Sequence, residues 1–127
     1  MSGLSDSRAA LANGLQNGMA SPVRVYPEPT STFAAPCIRL HPANPWLAPS
    51  VLAAGRRTQR WEVWAVAGKM ADTHRYDELE TMVSDATKAL DLMAGWSSVQ
   101  WERPNPTDMG GTSYLAVRGI IETNREV

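Results

Sequence analysis

Hydrophobic and polar residues alternate most clearly between Thr58 and Ala67, which predicts an extended strand with two distinct faces. One face is apolar throughout, and the other changes from charged to apolar along its length. Such a change is expected for a central strand whose far half is covered on both sides. The two faces carry Trp61, Val63, Ala65 and Ala67, and Arg60, Glu62, Trp64 and Val66, respectively.

A helical repeat follows Gly68. Asp72 or Thr73 is suited to cap the helix, and acidic residues in its first turn suit the positive end of the helix dipole. Gly95 lies where a left-handed residue would end it. Because the apolar stripe covers few heptads, we interpret it as the core side of a helix packed on a sheet and not as a coiled coil. The stripe contains Tyr76, Leu79, Val83, Ala86, Leu90 and Met93.

The N-terminal part predicts a short amphipathic helix over 5–15, which the Asn-Gly pairs at 13–14 and 17–18 should end. Two brief strands are expected next, over 23–26 and 36–40, each bounded by prolines.

The segment from about 41 to 57 is rich in proline and is expected to be a long loop. Trp46 and Leu47 are large apolar residues in this segment, so they are candidates for contact with a partner chain. The alternative is that Trp46 folds back over the core of its own domain.

The C-terminal part predicts a hairpin with strands over 97–102 and 112–122. The turn-rich connection at about 103–111 should project as a loop. In the last strand, Leu115, Val117 and Ile121 share one face. The opposite face, with Tyr114, Arg118 and Glu122, should meet either solvent or another subunit.

Together these elements predict one α+β domain over 1–127, with a single mixed or antiparallel sheet of four to five strands and helices packed mainly on one face. At 127 residues the chain is long enough to bury a core of its own.

Composition narrows the possible functions. The chain has 12 Lys and Arg against 13 Asp and Glu, a net charge of −1, which argues against a dedicated nucleic-acid binder. Cys37 is the single cysteine, so no intramolecular disulfide and no cysteine-rich zinc site is expected. The N-terminus lacks the apolar run of a signal peptide, and no window suggests a membrane span.

We find no residue pattern typical of an enzyme, a metal site or a cofactor site. His41 and His74 have no metal-ligand partners at suitable spacing, and the sequence at 110–113 is too short for a phosphate-binding loop and precedes a strand. Arg56, Arg57 and Arg60 form a local basic cluster. The cluster could meet phosphate or an acidic partner, or it could be a solvated strand end.

Six segments that span nearly the whole chain carry a resemblance to a known family. They are the opening helix ending near Leu15, Val23-Arg-Val-Tyr-Pro27, the proline-rich link into Cys37-Ile-Arg-Leu40, Arg60-Trp-Glu-Val-Trp-Ala-Val-Ala-Gly68, the Tyr76-Asp-Glu-Leu79 helix and the closing Tyr114-Leu-Ala-Val117 strand. In this arrangement the sequence resembles the tail-terminator proteins of long-tailed phages (siphoviruses), especially those infecting actinobacteria.

The resemblance implies a structural protein of the virion, made in the host cytoplasm, that forms a hexameric ring in the tail–neck region. The ring would cap the tail tube and join it to the head–tail connector or stopper protein, with genomic DNA passing through the lumen as cargo. No cofactor, enzymatic activity or membrane contact is implied. Candidate subunit or partner contacts are Trp46, Leu47, Arg56, Arg57, Arg60, Arg103, Tyr114 and Arg118.

Two other functions stay open at this point. One is a different neck component, such as a stopper or head-completion protein. The other is a small regulatory binding module that recognises a host protein or nucleic acid, in which the three arginines at 56, 57 and 60 would make salt-sensitive contacts.

Overall fold

The computed structural model describes residues 3–20, 23–30, 32–49, 56–69 and 74–126, and within them the chain forms two helices and one six-stranded mixed sheet. The α+β class predicted from the sequence is therefore confirmed. In chain order the elements are α1 (Gly3–Gly18), β1 (Arg24–Tyr26), β2 (Cys37–Pro49), β3 (Arg56–Lys69), α2 (Arg75–Asp91), β4 (Gln100–Trp101), β5 (Asn105–Met109) and β6 (Thr112–Glu126).

The sheet is built around β3, which pairs with β2 on one side and β6 on the other. β1 runs parallel to β2 at one edge, whereas the remaining pairs are antiparallel. At the other edge, β4 and β5 pair with successive parts of β6. The alternation in 58–67 thus identified the central strand, although the strand itself is longer, spanning Arg56–Lys69.

The main core lies between the two helices and one face of the sheet. The predicted helical stripe is largely confirmed, since Leu79, Ala86 and Leu90 are buried, but Tyr76 is 56% exposed. Met82 takes a core position that the stripe did not include. The sheet contributes Ile38, Leu40, Trp61, Val63, Ala65, Ala67, Leu115, Val117 and Ile121.

The first helix does not end at Leu15, as its sequence suggested, but continues to Gly18. Gly18 faces α2 and Gly14 faces Met93, just past the end of α2, both at close range. A β-carbon at Gly14 would lie 2.7 Å from the Met93 sulfur, and one at Gly18 would lie 2.5 Å from the Ala89 β-carbon. The absence of a side chain at these two positions permits this close packing. In the sequence alone, the same Asn-Gly pairs look like turns.

The long loop predicted over 41–57 is wrong for residues 41–49 and 56–57, which belong to β2 and β3. Residues 50–55 lie outside the described part of the chain. Prolines are tolerated here because β1 pairs with β2 only up to Arg39, so the rest of β2 is an edge strand that does not need every N–H donor. A register break between Pro42 and Leu47 absorbs extra residues.

The projecting loop predicted over 103–111 is also wrong, because Asn105–Met109 is a strand paired with β6. The turn consists of Gly110 and Gly111, with φ of 62° and 83°. Two successive residues with positive φ are what a tight two-residue hairpin requires. The predicted strand at 97–102 is correspondingly short, Gln100–Trp101, with an isolated bridge from Trp96 to Thr123.

Helix α2 begins at Arg75 after His74, which is left-handed with φ of 63°. The caps predicted at positions 72 and 73 lie outside the described residues. Gly95 has the expected positive φ, 85°, but the helix itself ends at Asp91. Neither helix of the described part is long and apolar enough to cross a membrane.

Candidate partner-binding surface

The sheet face opposite the helices is the most distinctive surface of the described chain. We call its uncovered part the open face. In the register of β3 and β6, Trp64 lies opposite Arg118, and Glu62 lies opposite Ile120. All of its residues are half-buried, so each is ordered by its neighbours and still accessible. The open face consists of His41, Arg60, Glu62, Trp64, Arg118, Ile120 and Glu122.

Arg118 holds one side of the open face together. Its Nε and Nη2 donate to the two carboxylate oxygens of Glu102 at 2.8 and 2.6 Å, and its Nη1 donates to Glu62 at 3.1 Å. Hydrogen bonding from Arg118 lowers the pKa of Glu102, and the same bond raises the pKa of Arg118. A two-oxygen contact of this kind fixes the plane of the guanidinium.

Trp64 lies at the centre of the open face. Its indole N–H donates to Glu62 at 2.9 Å, and the Arg118 guanidinium lies 5.9 Å from the ring centre. His41 meets the ring edge-on at 6.4 Å. Burial and the positive charge of Arg39 lower the pKa of His41, so the imidazole is neutral at physiological pH.

Arg60 completes the open face through an ion pair with Glu122 at 2.9 Å. Because its charge is paired with Glu122, Arg60 does not act as part of the arginine cluster that the sequence suggested. The side chain of Arg56 lies outside the described residues, and Arg57 is exposed near the start of β3. Arg57 and Arg60, the two whose side chains are described, lie on opposite faces of β3 and so do not share one basic patch.

The other end of the same sheet face is closed by the chain itself. Phe33 packs on Tyr114, with ring centres 5.4 Å apart, and on the Arg39 guanidinium at 4.5 Å. Cys37 is completely buried beneath this cover. Tyr114, predicted as a partner contact, is thus engaged in packing within the chain.

Trp46 and Leu47 lie on the arm, the end of β2 and start of β3 (residues 44–49 and 56–60), which extends past the last residue paired with β1. The Trp46 ring packs edge-on against Trp61, with centres 5.6 Å apart, but remains 38% exposed. Trp46 therefore folds back onto its own core, while part of its ring stays accessible. The contact of Trp46 with a partner chain stays a prediction.

An apolar groove of about 510 Å³ lies on the helix side of the sheet, at the edge opposite the arm. Its floor joins α2 to β4 and β6, and Glu80 and Glu102 are among its lining residues. Arg103, also predicted as a contact, is exposed next to Glu102. The groove is lined by Tyr76, Leu79, Glu80, Val83, Ser84, Trp101, Glu102, Pro104 and Val117.

Sequence reasoning missed the groove and Ile120. The groove brings together residues of α2 and the strands after it, which no local pattern relates. Ile120 could have been found, because it alternates with Arg118 and Glu122 on the same face.

Chemically, the open face and the groove are suited to binding other proteins. Tryptophan and arginine are enriched at protein interfaces, and partly buried, hydrogen-bonded side chains lose little freedom on binding. Among the described residues there is no cluster of three or more His, Cys, Asp or Glu that could hold a metal ion. No protein-family model matches the chain, and no curated protein is significantly similar to it.

Proposed function

We propose that this chain is a structural subunit of a phage virion, a tail terminator whose ring caps the tail tube and joins it to the neck. The observation that carries the proposal is the open face, a tryptophan and an isoleucine surrounded by paired charges on a sheet face that no described helix covers. This combination is typical of the centre of a protein interface.

In this proposal the open face docks on an adjoining ring of the virion. Arg118 and Arg60 are already fixed by Glu102 and Glu122, so a partner meets an ordered pattern of charges around Trp64. The net charge of −1 suits a conduit that must let DNA pass without holding it. The resemblance of the sequence to tail terminators supplies the identity of the partners, the tail-tube protein and the connector or stopper.

The test is the mass of the protein by light scattering over a concentration series, with electron microscopy of mixtures with assembled tail tubes. We expect closed rings in solution or rings at tube ends. Ile120→Lys, which replaces an apolar residue of the open face with a charge, should abolish docking on tubes. Asp108→Lys, an exposed change on β5, is the matched control and should dock normally.

Three other outcomes are informative. Docking on the connector and not on tubes would identify a different neck component. A protein that stays monomeric and binds neither tail tubes nor the connector would contradict the proposal. If that monomer bound DNA with strong salt dependence, the arginines at the start of β3 would be the first residues to examine.

A further inference from the structure

The exposed side of Trp46 and the groove lie at opposite edges of the sheet. The arm belongs to the β2 side, and the groove to the β4 side. Leu47 and Arg57 pair with positions of β3 and β2 that place them on the helix side, where the groove also lies. The two features therefore lie on the same side of the sheet, at its opposite edges.

The charges of the two features are complementary. On the helix side of the described arm Arg57 is exposed, and residues 44–49 and 56–60 contain no acidic residue. On α2, residues 76–85 contain four acidic residues and no basic one. Asp77 and Glu80 are exposed there, and Glu80 lines the groove. Attraction between them would orient an approaching arm before apolar contact is made.

The apolar parts are complementary as well. The apolar lining of the groove includes Leu79, Val83, Trp101 and Val117, of which Val83 and Trp101 are partly exposed and the other two are buried. Trp46 is already held against Trp61, so its ring loses little freedom when it is covered. A tryptophan seated in an apolar pocket with charged residues around it is a common centre of binding energy.

We propose that the arm of one copy of this chain seats Trp46 and Leu47 in the acidic-rimmed groove of a second copy, with Arg57 against Glu80. Because donor and acceptor lie at opposite edges, one chain cannot satisfy both with a single partner. The contact is heterologous, so it continues from copy to copy and closes into a ring when the rotation per copy allows. The inference rests on the proposed ring and assigns its lateral contact.

Charge reversal tests the pairing. Glu80→Arg and Arg57→Glu should each weaken self-association by about fivefold per contact, since an exposed pair becomes a repulsion. The combined variant should return to within about threefold of the wild type. Asp91→Arg is the matched control, an exposed acidic residue at the far end of α2 from Glu80, and should associate normally. Light scattering over a concentration series measures each constant.

Cross-linking tests the location of the contact directly. In a Cys37→Ala background, Asn44→Cys, at an exposed position of the arm two residues before Trp46, and Ser84→Cys are made in separate chains, mixed, and oxidised. We expect the mixed sample to form a disulfide-linked dimer and each variant alone to stay uncross-linked. Asp108→Cys replaces Ser84→Cys as the control and should give no product with Asn44→Cys.

The outcomes separate this contact from the proposed function. If the wild type forms rings, in solution or on tubes, but the Glu80 and Arg57 variants form them equally and the cysteines do not link, the arm-in-groove contact is wrong and the terminator proposal stands. If the wild type remains monomeric with and without tubes, both fail. Loss of rings in the single variants with recovery in the combined variant establishes the contact.

Discussion

Gly18 and Ala89 are in such close contact that a β-carbon on Gly18 would lie 2.5 Å from the β-carbon of Ala89. The contact joins the end of α1 to α2, and neither residue has a flexible side chain that could move aside. The distance between the helices therefore depends on the absence of a side chain at this one position.

Gly18→Ala should destabilise the protein by about 1–3 kcal/mol, because the helices must separate to accept one carbon. Gly14→Ala is the matched control. Its β-carbon would meet the flexible Met93 side chain, and alanine favours the helix by about 1 kcal/mol, so this variant should be neutral or more stable. Urea unfolding measures both. Equal stability of the two variants would mean that the helices do not touch at Gly18.

The β5–β6 turn supplies a second prediction. Gly110 has φ of 62°, so Gly110→Val should lose about 1–2 kcal/mol, since a branched side chain is strained in that conformation. Gly110→Asn should be tolerated, because asparagine adopts positive φ in two-residue hairpins. Thermal unfolding of the two variants distinguishes a tight hairpin from a projecting loop, in which both changes would be harmless.

The third prediction concerns the attachment of β4 to α2. The Trp101 indole donates to the Thr87 hydroxyl at 2.9 Å, and that hydroxyl donates to the Val83 carbonyl at 2.7 Å. Thr87→Val leaves the indole N–H without this acceptor and should lower stability by about 1–3 kcal/mol. Thr87→Ser keeps the hydroxyl and should unfold close to the wild type. If the two variants unfolded alike, the hydrogen bond would contribute nothing.

Cys37 gives a pH-dependent prediction. Burial raises the pKa of its thiol from 9.0 to about 11, opposed by a smaller effect of the Arg39 charge. The unfolded chain therefore loses this proton first as the pH rises. The thiol's contribution to stability is complete below pH 9 and is lost between pH 9 and 11, by up to about 3 kcal/mol.

The measurement is the free energy of unfolding at several pH values for the wild type and for Cys37→Ala. Other groups titrate in the same range in both proteins, so the difference between the two curves isolates the thiol. The difference should change between pH 9 and 11 and be constant below. A difference that stays constant over the whole range would show that the thiol titrates equally in folded and unfolded chains.

Local pattern alone identified the faces of the strands. Residues 58–67 and 114–122 alternate with period two, so the side of the sheet on which each residue lies followed without any knowledge of strand pairing. The buried positions of Val63, Leu115 and Ile121 agree with this assignment. The spacing of three and four after Gly68 likewise located α2, because a helix repeats within its own residues.

Tertiary structure decided what depends on a neighbour. Prolines at 42, 45 and 49 indicate a loop unless the strand is known to lie at an edge, and Gly14 indicates a helix end unless its close contact with Met93 is known. The open face required the register of β3 and β6, and the groove required α2 to lie beside β4. The sequence by itself determined the periodic elements and their buried sides. Strand pairing, edge positions and the surfaces between elements depend on residues far apart in the chain, and local periodicity contains no information about those contacts.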